Sequence, residues 1–175
     1  MRSKISSLFG LLIFTLLFSC KKQEVFENTP FIEYKKFEQV LNSAGNDSIG
    51  ILHFYFRDGD GDLGLAPDDT FPPFQKSGEH YFNFIISYFE KQNGEWIKIS
   101  PPAPFPGGDT VSNSSRIPFL TPDGQIKTLE GDLFMELFTN NPFSAFDTIK
   151  YEFSIEDRAL NRSNTESTPE IIISK

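Results

Sequence analysis

The sequence predicts an all-β fold, a single antiparallel β-sandwich of about seven to nine short strands. Three observations carry this prediction. Apolar and polar residues alternate with a period of two, most cleanly at Ile149, Tyr151, Phe153 and Ile155 against Lys150, Glu152, Ser154 and Glu156. Turn-forming Gly, Pro, Asn and Asp punctuate the chain at short intervals. Twenty phenylalanines among 175 residues supply a core without disulfides.

The elements follow in order. Residues 30–34 read as a first strand. Phe37, Val40 and Leu41 then fall at helical spacing, which leaves a short helical turn open there. Residues 42–47 are turn-like. Residues 49–56 read as a strong strand, with Leu52, Phe54 and Phe56 on one face. The acidic glycine stretch 58–64 ends it, and a proline-rich loop runs to Gly78. Residues 81–90 form a second strong strand. Asn93-Gly94 marks a tight hairpin, because both residues tolerate positive φ. Residues 96–99 return, and residues 101–108 are a proline-rich loop. Short strands are expected at 116–120 and 126–129, joined by a turn at Asp123-Gly124. Residues 133–138 and 149–155 are further strands, and 170–173 closes the chain.

Ahead of the strands stand Arg2 and Lys4, then an apolar run from Leu8 to Phe18. A permanent membrane helix takes about 20 apolar residues. The run is shorter and reads as a secretory signal that is removed. Leu17, Ser19 and Cys20 resemble the lipobox of bacterial lipoproteins, with bulky Phe18 where a small residue is usual. Cys20 is the only cysteine in the chain and has no disulfide partner. The resemblance implies a diacylglyceryl thioether on Cys20 and a further acyl chain, such as palmitate, on its amine. Two or more acyl chains hold a protein stably at a membrane. Residues 1–19 therefore read as a cleaved signal peptide, 20–29 as a lipidated tether, and 30–175 as the sandwich domain. Lys21-Lys22-Gln23-Glu24 loosely resembles the export tag of Bacteroidota surface lipoproteins. The expected address is the cell envelope, as an outer-membrane lipoprotein on either leaflet.

Removing residues 1–19 takes two basic residues and no acid, which leaves 14 basic against 24 acidic residues, a net charge of −10. Such a domain repels phosphate backbones, which speaks against nucleic-acid partners, and it favours cations.

Two stretches near the C-terminus carry a family resemblance. Asp147-Thr148-Ile149-Lys150-Tyr151 leads into a strand, and Asp157-Arg158-Ala159-Leu160-Asn161-Arg162-Ser163 follows it. Together they resemble bacterial immunoglobulin-like and fibronectin type III-like domains. The resemblance implies an immunoglobulin-like β-sandwich, with Tyr151 placed for a tyrosine-corner contact. Taken with the Asp-Gly stretch, the chain resembles uncharacterised Bacteroidota lipoproteins, a likeness that implies no biochemical activity.

Asp58-Gly59-Asp60-Gly61-Asp62-Leu63-Gly64 is the strongest chemical motif. Carboxylates at alternate positions converge when the glycines between them let the chain curl. Two like charges 4 Å apart repel by about 4 kcal/mol at an effective dielectric of 20. A hard cation removes that repulsion, and Ca²⁺ takes six to eight oxygens. The spacing is not that of an EF-hand, because Leu63 and Asp69 fall where that motif needs glycine and a bidentate glutamate. The same stretch also reads as a solvated, metal-free turn at a strand end.

Immunoglobulin-type strand order places the loops after residues 56 and 156 at one end. Asp157, Asn161 and Asn164 would then face Asp58, Asp60 and Asp62 and complete an oxygen cage. The competing role for Asp157 and Asn161 is to cap their own turn. Phe71, Phe74 and Phe105 would gather at the same end, either as a stacking surface for a sugar or partner protein or as satellite core.

His53 and His80 each fall within an expected strand, without the close spacing zinc needs. No nucleophile elbow or phosphate loop is present. The expected function is a lipid-anchored binding or scaffold module of the envelope, Ca²⁺-stabilised, and not an enzyme. Its partner is an envelope protein or glycan. The alternatives are a glycan-binding accessory lipoprotein of a polysaccharide-uptake system and, behind it, a hydrolase.

Overall fold

The computed structural model describes residues 26–100, 113–120 and 128–175. Eight strands form two antiparallel sheets, and no helix occurs among the described residues. β1 (Phe31–Leu41), β2 (Asp47–Asp58) and β5 (Leu129–Phe138) make a three-stranded sheet with β2 in the centre. The second sheet runs from β4 (Glu95–Ile99) through β3 (Phe84–Gln92) to β6 (Thr148–Ile155). Its far edge is shared by two short strands, β7 (Glu166–Ser167) and β8 (Ile171–Ile172), each paired to β6. In immunoglobulin lettering the sheets are A-B-E and C′-C-F-G, with no D strand among the described residues.

The core lies between the sheets. β2 sends Leu52, Phe54 and Phe56 inward, as its alternation requires. Phe54 meets Phe84 of β3 at a centroid distance of 5.8 Å and Phe153 of β6 at 5.2 Å. All three rings are essentially buried. Burying a side chain of this size contributes about 1.5–3 kcal/mol. The described core is built from residues between Ile32 and Ile173.

The hairpin from β3 to β4 turns on Asn93 (φ 53°) and Gly94 (φ 90°), both in the left-handed region a two-residue turn of this hand requires. Tyr151 donates its hydroxyl to the Phe138 carbonyl at 2.8 Å, a tyrosine-corner type of contact that ties β6 to the end of β5.

Several expectations are corrected. No helical turn forms at Phe37, Val40 and Leu41, and β1 runs on as strand to Leu41. A register shift between Tyr34 and Lys36 inserts an extra residue, so Tyr34 and Phe37 both reach the core despite their spacing of three. Residues 116–120 form no strand: Pro118 bridges Leu65, and Ser115 just ahead of them bridges Phe84. β3 begins at Phe84, which leaves His80 in the preceding loop. The outer side of β6 is wet at Lys150 and Glu152 but closed at Ser154 and, just beyond the strand, at Glu156. Glu156 is covered because His80 (2.7 Å) and Arg162 (3.0 Å) both pair with it.

Candidate metal centre

The end of the sandwich is built from two strand exits. β2 ends at Asp58 in one sheet, and β6 ends at Ile155 in the other, two residues before Asp157. The register Phe84 to Ile155 and Phe31 to Arg57 places the starts of β3 and β1 at this same end. Leu63 and Leu65 are buried and pin the far side of the acidic loop. The Leu65 amide donates to the Ile117 carbonyl at 2.9 Å, and the Leu120 amide donates to the Leu63 carbonyl at 3.3 Å. Gly64 makes this crossing feasible. Its φ is +109°, and a Cβ there would lie 2.2 Å from the Pro118 carbonyl oxygen.

Between these anchors the loop curls. Asp58, Asp60, Asp62 and Asp157 each present one carboxylate oxygen, and the four atoms lie within 4.8 Å of one another. Asp58 is fully buried, with Oδ2 accepting the Leu63 amide at 3.0 Å. Its Oδ1 is buried without a partner, and so are the Oδ1 atoms of Asp60 and Asp62. Buried acceptors are nearly always satisfied in folded proteins. Three orphaned acceptors within one carboxylate cluster call for a group that donates to or coordinates them.

The electrostatics agree. Burial, then the hydrogen-bond approach and charge of Asp60 and the charge of Asp62, push the Asp58 carboxyl up to about 7, against a smaller opposing pull from the Leu63 amide. Burial followed by the charges of Asp157 and Asp60 raises Asp62. Burial also raises Asp157, while hydrogen bonds from Asn161 oppose it. Ionised carboxylates are thus disfavoured here in the absence of a positive charge. Four carboxylate oxygens this close together could hold a metal ion.

The structure brings Asp58, Asp60, Asp62 and Asp157 together but uses the two asparagines differently. Asn161 gives its amide N–H to Asp157 Oδ1 at 2.8 Å and its side-chain amide to Asp157 Oδ2 at 2.9 Å, so it caps and orients that carboxylate. Asn164 faces away, bonding both the amide and the carbonyl of Ile32 in β1 at 2.9 Å. Phe74 is half-buried beneath the Arg158 guanidinium, 5.8 Å from the ring centre. Phe71 is 77% exposed. Cys20, Phe105 and the turn at Asp123-Gly124 lie outside the described residues.

Two contributors escaped the sequence. Arg158 pairs with Asp69 through both nitrogens, which lowers the Asp69 carboxyl, and it lies 5.3 Å from the Phe119 ring. Arg116 donates to the carbonyls of Tyr81, Ala66 and Asp69 and clamps the proline-rich loop. Long-range arginine contacts of this kind leave no local signature.

Fold and site together define an all-β two-sheet domain with a four-aspartate centre at one pole. No protein-family model matches the chain, nor does any curated protein or solved structure.

Proposed function

We propose that the protein is a lipid-anchored binding module of the cell envelope whose acidic pole holds Ca²⁺. The observation that carries the cation is the fully buried, unpartnered Oδ1 of Asp58, set among three further carboxylates. Ca²⁺ suits an irregular all-oxygen donor set better than Mg²⁺, which demands near-ideal octahedral geometry, or zinc, which favours nitrogen and sulfur. The anchor rests on the Leu17-Phe18-Ser19-Cys20 motif. The ion acts as a staple between two loops, one from each sheet, and holds the pole in a single shape for a partner.

Calorimetry on residues 24–175 tests the cation. At Ca²⁺ 100-fold above its dissociation constant the domain gains about 2.7 kcal/mol, and its melting temperature rises. Asp60→Ala abolishes the rise. Identical melting of the two proteins with and without Ca²⁺ rejects the ion. Mass spectrometry of the processed chain reads the acylation of Cys20 directly.

A further inference from the structure

We propose that the free edge of β5 docks an extended, basic segment of a partner protein, which joins the three-stranded sheet as a fourth strand. This rests on the binding-module reading above and names the partner's chemistry; it makes no use of the cation.

The first argument is that β5 is the unprotected edge among the described residues. A row of unpaired backbone groups templates another strand, and folded proteins blunt such edges. β1 is blunted by the register shift beside Lys35 and Lys36, and the Asn164 side chain bonds both backbone groups of Ile32. β4 is five residues long, and β7 and β8 are two residues each. β5 runs for ten residues without proline or lysine, in unbroken register with β2.

The backbone groups of successive strand residues point to opposite sides. Asn113 marks the outward side of β5. Its side-chain oxygen accepts the Phe138 amide at 3.1 Å, and its side-chain nitrogen donates to the Phe138 carbonyl at 3.4 Å. Glu130, Asp132, Phe134 and Glu136 share the parity of Phe138, so their N–H and C=O groups face away from β2. No strand among the described residues pairs with them on that side.

The second argument is an unfinished inner layer. Leu133 stands opposite Phe54, and Met135 opposite Leu52. Phe54 and Leu52 are fully buried, yet Leu133 and Met135 are only half-buried against the core. An added strand with apolar residues at alternate positions closes that side.

The third argument is charge. β5 carries three acidic residues and no basic one. Glu130, Asp132 and Glu136 are exposed on the outer face beside Phe134, which is 60% exposed. Tyr55 and His53 bond Glu130 and Asp132 at 2.6 and 2.8 Å and hold them on that face. Opposite charges facing each other across a ladder stabilise it, and like charges destabilise it. The fitting strand therefore carries Lys or Arg at its outer positions. A second copy of β5 does not fit. Stacking Phe134 on its own copy would set Asp132 against Glu136.

The test is amide hydrogen exchange of the full chain with an end-capped octapeptide of alternating lysine and valine. The Asp132, Phe134 and Glu136 amides are expected to exchange fast in the free protein and about tenfold more slowly with the peptide in excess. A glutamate–valine octapeptide is expected to leave them fast. Glu136→Pro removes an outward N–H and spares the β2 ladder, so it is expected to melt near wild type and to lose the protection. Asp132→Lys/Glu136→Lys is expected to reverse the choice of peptide. Slow exchange in the free protein overturns the proposal, because the edge is then already covered. Protection by both peptides or by neither also overturns it, as does an unchanged choice in the double variant. A dimer protected at these amides makes a second copy the occupant and overturns the basic partner. A Ca²⁺-induced rise in melting temperature without peptide protection overturns the docking edge and leaves the cation reading standing. Peptide protection without a Ca²⁺ response does the reverse.

Discussion

Asp58 closes β2 of the three-stranded sheet, Asp157 follows β6 of the five-stranded sheet, and a carboxylate oxygen of each lies within 4.8 Å of the other. Backbone pairing holds strands within a sheet. This contact is different, because it joins the exits of two sheets through groups that repel until their charge is neutralised. A proton and a cation are the two available means.

Asp58→Asn separates those means. Asparagine keeps the acceptor for Leu63 and offers an amide N–H to Asp60. In chelator the variant is expected to be more stable than wild type by about 1–3 kcal/mol, the cost of an unsatisfied buried group. In Ca²⁺ the order reverses, since the variant has lost a ligand. Denaturant unfolding under both conditions measures the crossing, and an unchanged order of stabilities argues against it.

The dependence on pH has a definite sign. Without metal, Asp58 holds its proton up to about pH 7 when folded, against an ordinary carboxyl value of 3.8 when unfolded. Between those values the folded state binds the extra proton, so stability falls as pH rises from about 4 to about 7. Asp62 and Asp157, shifted in the same direction, steepen the fall. With Ca²⁺ present the ion replaces the departing proton, and stabilisation by Ca²⁺ grows across the same window. Melting temperatures from pH 4 to pH 8 in EDTA and in Ca²⁺ should therefore diverge as pH rises, and parallel curves contradict the assignment.

Tyr151→Phe removes the hydroxyl that satisfies the Phe138 carbonyl. The expected loss is about 1 kcal/mol, with the Ca²⁺ response intact. Chemical denaturation of the variant checks both halves.

Gly64→Ala is expected to be far more costly than its size suggests. The residue needs φ +109°, and a Cβ there would lie 2.2 Å from the Pro118 carbonyl oxygen. The change loosens the crossing that supports the acidic loop, so it lowers the melting temperature and weakens Ca²⁺ binding together. A variant with wild-type affinity for Ca²⁺ shows that the crossing does not shape the site.

Much of the sandwich is legible in the sequence where period-two alternation is unbroken. β2 and β6 are of this kind, and so is the Asn93-Gly94 hairpin, whose chemistry is local. The convergence of Asp157 on the Asp58 loop follows from strand order alone. Legibility fails where a strand leaves apolar residues exposed. The helical spacing of Phe37, Val40 and Leu41 misleads because Val40 and Leu41 are exposed strand residues and only Phe37 packs against the core. It fails again where one side chain serves a distant backbone. Asn161 and Asn164 are three residues apart and chemically identical, yet one orients Asp157 and the other bonds Ile32. Nothing in their neighbours separates them, and only the approach of β1 does.

The bond from Gly59 to the Glu27 carbonyl also sets a load path. Any pull transmitted along the N-terminal leader reaches residue 59 before it reaches the first paired rung of β1, Phe31 with Arg57. Drag on the body of the molecule is felt first by the carboxylate hairpin, and a bound ion there would double as a mechanical brace.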